Sequence, residues 1–200
     1  DHGVDLEIDK TYRYCVLSDR KKNYLGVTNS GKVDVKGLTG KKSHTPAFIK
    51  KLFFELVDVL SEVQTMEDFV KAKKQISEKI SVCGKKLQAK EIPLEDLTFN
   101  VMLSKAPSEY TKTIPQHIRA AKQLEGIREI KKGDKISFIK ILNKPGVKPV
   151  ELAKKDEIDS KKYLEFLEST LEQITSSMDL DFDVMLGKPK QTGLDEFFWS

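Results

Sequence analysis

The chain has 200 residues, enough for one generous domain or two small ones. One third of the residues are charged (33%), 35 Lys or Arg against 31 Asp or Glu, for a net charge of +4. No apolar run is long enough to span a bilayer, and two cysteines, Cys15 and Cys83, make neither a disulfide framework nor a metal cluster, which excludes a helical membrane span and a disulfide-stapled scaffold.

Scarce cysteine predicts an intracellular protein, and abundant Lys and Glu lean toward a thermophile. Asp1-His-Gly-Val-Asp5 has neither signal nor transit character. It has no initiator Met either, so the chain is expected to start inside a longer protein. Charge is unevenly spread. From Arg20 to Lys51 nine Lys or Arg side chains stand against the single acid Asp34, whereas acids dominate from Glu151 to Asp183. Such asymmetry predicts a basic face for a polyanion and an acidic face turned away from it.

Thr11 to Leu17 is predicted as a strand from its aromatic and β-branched content. Tyr24–Val27 and Lys32–Lys36 flank Asn29-Ser-Gly31, a hairpin turn signal, so the first forty residues read as three antiparallel strands. Thr45-Pro46 opens a helix, with Thr45 as cap and Pro46 at the first helical position. Its apolar face is Phe48, Ile49, Leu52, Phe53, Leu56, Val57 and Leu60. Thr65-Met-Glu-Asp68 is a capping box that starts a second helix, with Gly84 as its stop. Leu97–Val101 alternates as a short strand. A helix from Pro115 runs to Leu124, and Lys135–Leu142 is a strand broken by Pro145-Gly146. Asp159 caps a final helix with apolar positions Tyr163, Leu164, Phe166, Leu167, Leu171 and Ile174. The fold class is therefore α+β: antiparallel strands first, then a mainly helical part with a small β element.

Three cationic patches are candidates for gripping phosphates. Lys21 and Lys22, with Asn23 and Tyr24, lie where a strand runs into a hairpin, so lysines can straddle successive phosphates and the tyrosine can pack on sugar or bond a phosphate oxygen. Lys36, Gly37, Lys41 and Lys42 set glycine beside lysine, letting backbone N–H groups approach a ligand along with the charges. The helix opened by Pro115 carries His117, Arg119 and Lys122 near free terminal amides. Each patch alone also reads as a solvated surface. Together they predict a surface that reads the charge and shape of duplex nucleic acid.

No catalytic or metal site is predicted. His2, His44 and His117 fall in different elements, none at metal-ligand spacing with Cys or a carboxylate, and no GxxxxGK[ST] loop is present. Asp179, Asp181 and Asp183 could align along a strand as metal ligands do, but a solvated acidic connector is the preferred reading.

The chain closes with Gly187-Lys-Pro-Lys190, a polar tether, and Gln191-Thr-Gly-Leu194-Asp-Glu-Phe197-Phe198. In one turn of tight helix Leu194, Phe197 and Phe198 share a side and form an apolar plug, with the Gln191 amide free to bond a partner's backbone. The string resembles the box with which replication and repair proteins dock on the sliding clamp. The bland alternative is a terminus folded back on its own core.

The run from Leu6 to about Leu186 resembles the C-terminal portion of an archaeal family B DNA polymerase. Lys21-Lys-Asn-Tyr24 is similar to the family's Lys-Lys-x-Tyr motif at the palm edge, which grips the newly made duplex. Lys36-Gly37-Leu38 followed by Lys41-Lys42 resembles the Lys-Gly-(Leu/Ile/Phe)…Arg-Arg motif at the passage into the thumb. Ile92–Leu97, Tyr110, Pro115-x-His117-x-x-Ala120, Gly133-Asp134-x-Ile136 and Ile158-Asp159-x-x-x-Tyr163 recur in thumb sequences in that order. Asn23 stands where Arg is frequent, and Lys41 and Lys42 replace paired Arg, whose fork geometry they lack.

The family's metal-binding aspartate motifs, Asp-x-x-Ser-Leu-Tyr-Pro and Asp-Thr-Asp, and its exonuclease acids are absent from this chain. The resemblance implies residues 1–45 as the last palm strands, 46–186 as the thumb and 187–200 as a clamp-binding tail. It implies primer–template duplex, sliding clamp and the upstream catalytic part as partners. Mg2+ is expected for the complete polymerase, and no cofactor in this chain. The chain alone is expected to be inactive, in a cytoplasmic, nucleoid-associated setting. The rival reading is a non-catalytic adaptor that bridges DNA and clamp.

Overall fold

The computed structural model describes Gly3, residues 7–18 and residues 21–187. Strands β1 (Tyr14–Leu17), β2 (Tyr24–Val27) and β3 (Val33–Lys36) form an antiparallel meander in the order β1-β2-β3. Its register sets Leu17 and Lys36 on either side of Tyr24. Alternation then sorts the two faces. Val16, Leu25, Val27 and Val35 are buried on one face, while Cys15, Leu17 and Lys36 are exposed on the other with Tyr24 half-buried among them.

A 3-10 turn, Thr39–Lys41, leads from β3 to helix α1 (Ala47–Ser61). All seven residues predicted for the apolar face of α1 are buried. Thr45 does not cap this helix: Pro46 holds the cap position, and the Thr45 hydroxyl donates instead to the Thr39 carbonyl at 2.8 Å, tightening the turn before it. Helix α2 (Met66–Gln88) begins at the predicted capping box, with the Asp68 amide donating to Thr65 Oγ1 and the Thr65 amide to Asp68 Oδ2. Gly84 is not its stop. The helix continues to Gln88, and Gly84 is instead a site of close approach: a Cβ there would lie 2.2 Å from a methyl of Leu186.

The second sheet has the order β4-β5-β6, from β4 (Phe99–Met102), β5 (Lys135–Lys140) and β6 (Val147–Pro149), all antiparallel. Ile141 adds a bridge to Ile158 beyond β5. Helix α3 (Gln116–Lys122) packs against β5 and β6. It has seven residues and ends before Leu124, because turns replace the helical bonds after Lys122. Helix α4 (Ser160–Thr175) starts at Asp159, whose carboxylate accepts from the Lys162 amide at 3.1 Å. One further turn, α5 (Phe182–Met185), was not anticipated. Asp181 caps it by accepting from the amides of Asp183 and Val184, so two of the three alternating acids shape a helix start. The α+β class holds.

One continuous core links both sheets. Tyr163 of α4 is its hub: fully buried, it donates to the Leu97 carbonyl at 2.7 Å and accepts from the Lys140 amide at 3.0 Å. Its ring packs with Phe48 and Phe99. Near this hub the Lys140 ammonium sits 5.2 Å from the Phe99 ring centroid and 5.4 Å from that of Phe166, and loss of hydration holds its pKa below the ordinary lysine value. The first sheet is bonded to the helices by Tyr14, whose hydroxyl donates to the Leu60 carbonyl, and by Arg13 to the Ser61 carbonyl at 3.0 Å. No helix among the described residues is long and apolar enough to cross a membrane.

Candidate nucleic-acid interface

Two of the three cationic patches become one. Lys36 stands directly opposite Tyr24 across the β2–β3 ladder, so the end of β3 lies beside the β1–β2 turn that carries Lys21, Lys22 and Asn23. At Gly37 the two segments touch. A Cβ there would come 2.0 Å from Asn23 Oδ1 and 2.8 Å from the Lys22 carbonyl oxygen, and Gly37 has φ +66°, so only glycine fits. Lys22 is itself left-handed, at φ 63°, which folds the turn back toward Gly37. The Ser18 amide closes the turn on the Asn23 carbonyl at 3.3 Å.

Lys41 and Lys42 follow on the 3-10 turn. Lys41 donates one ammonium hydrogen to the Val35 carbonyl at 3.2 Å, which leaves two of its three donors for a ligand. Lys42 is exposed. The turn itself is rigid. Gly40 is buried against the Phe53 ring, and Gln173 of α4 bonds Thr39 twice, accepting from its amide at 2.9 Å and donating to its hydroxyl at 3.1 Å. Among the described residues Lys21, Lys22, Lys36 and Lys42 form no ion pair; Asp34, the acid between them, is paired with Lys10 at 2.7 Å. The side chains therefore present positive charge that is not cancelled within the sheet.

The third patch lies elsewhere, on α3 over the second sheet. Seven residues make a short dipole, which weakens the free-amide argument for this helix start. Arg119 donates to the Pro145 carbonyl at 3.0 Å, spending one donor on the turn between β5 and β6. His117 is half-buried, edge-on to Tyr110 at 6.3 Å, and burial pushes its pKa below the ordinary histidine value, which disfavours its charged form. Lys122 is exposed. Gln191, Leu194, Phe197 and Phe198 lie outside the described residues.

Sequence reasoning passed over Lys10, Tyr12 and Asp34 on the open face of the first sheet. The Asp34 carboxylate accepts from Lys10 and from the Tyr12 hydroxyl at 2.9 Å, and these two bonds hold its pKa below the usual range. Strict alternation with the half-buried Val33 and the buried Val35 was the available signal. No three His, Cys, Asp or Glu side chains among the described residues converge as a metal ion would require.

The chain that carries these lysines, set on turns and a strand end around Tyr24, is similar to DNA polymerases. A family model for DNA polymerase family B matches residues 1–179. DNA polymerase 1 of Sulfolobus acidocaldarius is 41% identical over 200 residues, covering 99% of this chain and 22% of that protein. DNA polymerase 1 of Sulfurisphaera ohwakuensis is 45% identical over 180 residues, covering 89% of this chain and 20% of that one. The structure of the family B DNA polymerase from the hyperthermophilic archaeon Pyrobaculum calidifontis superposes with a TM-score of 0.61 at 19% identity, over 96% of this chain and 23% of that one, a likeness of fold. The chain thus spans about a fifth of the length of these relatives. With nine-tenths of its residues inside the matched region, it belongs to DNA polymerase family B.

Proposed function

We propose that this chain is the duplex-gripping part of a replicative DNA-directed DNA polymerase. In this reading the first sheet, within residues 1–45, is the palm edge, residues 46–186 are the thumb, and 187–200 a tail that docks on the sliding clamp. The observation that carries it is the junction at Gly37, where Lys36 and Gly37 meet Lys22 and Asn23 on one exposed edge. Lys21, Lys22, Lys36, Lys41 and Lys42 hold successive backbone phosphates, with Tyr24 between them. His117, Arg119 and Lys122 meet the duplex further back. Such contacts slow dissociation and set register without bond chemistry. The bond-forming carboxylates and Mg2+ belong to the upstream part of the polymerase, and we assign no residue of this chain to the metal. The chain alone does not polymerise.

Duplex binding measured by fluorescence anisotropy against salt tests the grip. Each phosphate contact contributes about 0.9 to the slope of log K on log salt, so Lys21→Ala with Lys22→Ala is expected to flatten it by roughly 1.8. Binding indifferent to salt would overturn the reading. The tail is tested separately, by clamp capture of a Phe197→Ala, Phe198→Ala variant. Loss of capture supports docking, which raises local concentration on DNA without new duplex contacts. Undiminished capture would remove the tail from the proposal.

A further inference from the structure

The open face of the first sheet carries a line of hydrogen bonds that the lysine motifs do not explain. Lys10 donates to Asp34 Oδ2 at 2.7 Å, Tyr12 donates to the same oxygen at 2.9 Å, and the Tyr12 and Tyr24 hydroxyl oxygens lie 3.4 Å apart. A carboxylate held ionised by Lys10 can only accept. The single Tyr12 proton is therefore committed to Asp34, and Tyr12 offers Tyr24 only a lone pair. Between the two phenols, Tyr24 is the donor. At 3.4 Å that bond is long and weak, so the Tyr24 proton is easily redirected.

Packing fixes the same pair. The Tyr12 ring lies directly over Gly26, where a Cβ would come within 2.6 Å of it, so any side chain at 26 would displace the ring. The Tyr12 and Tyr24 rings meet edge-on, 6.0 Å apart at 68°. Tyr24 is thereby braced by Tyr12 at its place opposite Lys36.

We infer that Tyr12, anchored by Asp34 and seated on Gly26, is a positioning residue for Tyr24, whose hydroxyl turns from Tyr12 to a backbone phosphate oxygen of the duplex beside Lys36. The inference rests on the duplex-gripping reading above. Tyr24 belongs to that reading; the new element is Tyr12, which touches no phosphate itself.

A double-mutant cycle in the 200-residue chain, read as affinity for a DNA duplex, tests it. Tyr24→Phe is expected to weaken binding roughly tenfold, as loss of a hydrogen bond to a charged group should. Tyr12→Ala should weaken it roughly three- to tenfold in the otherwise unchanged chain and not at all in the Tyr24→Phe background. The salt slope stays constant throughout, since no cation is removed. If circular dichroism shows Tyr12→Ala unfolded, Tyr12→Phe takes its place, with about a twofold loss that again vanishes in the Tyr24→Phe background. Additive losses, or no loss on changing Tyr12, would overturn the positioning role while leaving the lysine grip intact. A wild-type chain whose duplex binding ignores salt would overturn the grip itself, and this inference with it.

Discussion

Gln173 and Thr39 are 134 positions apart, yet the Gln173 amide accepts from the Thr39 amide at 2.9 Å and donates to the Thr39 hydroxyl at 3.1 Å. This pair fastens the lysine-bearing turn to α4. Gln173→Ala strands the Thr39 N–H in a part-buried place. The expected cost is about 1–3 kcal/mol of unfolding free energy, measured by denaturant titration. A loss of affinity for duplex DNA should accompany it, because Lys41 and Lys42 lose their fixed base. Unchanged stability would show that the turn is held by its other contacts alone.

Gly40 is expected to be intolerant of even one methyl group. A Cβ would fall 2.2 Å from two atoms of the Phe53 ring, and Phe53 is fully buried with no room to retreat. Gly40→Ala should lower stability by about 1–3 kcal/mol through overpacking. Pairing it with Phe53→Leu should recover part of that loss in thermal unfolding, and no recovery would place the strain elsewhere.

Stability should fall on the acid side. Asp34 is held below the ordinary carboxylate range by Lys10 and Tyr12, Asp68 by the side chain and amide of Thr65, and Glu157 by Lys148 and the Lys154 amide. Unfolding returns these groups to their ordinary values, so between the lowered and the ordinary values the unfolded chain binds more protons. The stability they contribute is complete above the ordinary range and is lost as pH drops through the lowered values. Melting temperatures should be nearly level from pH 7 to about 5 and decline below about 4. Glu157→Gln should make the decline shallower.

The two thiols should differ in reactivity and in their response to DNA. Burial raises both thiols, but Cys15 is exposed on the open face of the first sheet, whereas the Cys83 thiol is pushed up to about 11. Alkylation followed by mass spectrometry should label Cys15 first. Duplex DNA should slow labelling at Cys15 and leave Cys83 unaffected. Equal protection at both sites would argue against the first sheet as the gripping surface.

The lysine surface was legible in the sequence because local signals set it. Asn29-Ser-Gly31 makes a hairpin, alternation orients the strands, and Lys36 follows opposite Tyr24. The caps at Thr65 and Asp159 were likewise local. What escaped were decisions made by distant partners. Gly84 has the composition of a helix stop, but Leu186, far along the chain, makes it a contact site inside α2. Thr45 can cap a helix or bond Thr39, and only the folded turn selects the second. β6 is three residues long beside Pro145 and Gly146, too short for a periodic signal. Within the site, the link from Asp34 through Tyr12 to Tyr24 needs all three strands in register before it exists.

The contact of Leu186 with Gly84 moors the last described helical turn on α2, one residue before Gly187. Any side chain at 84 would push Leu186 off α2, so a bulky substitution there is expected to loosen α5 from the helix it rests on while both sheets stay in place.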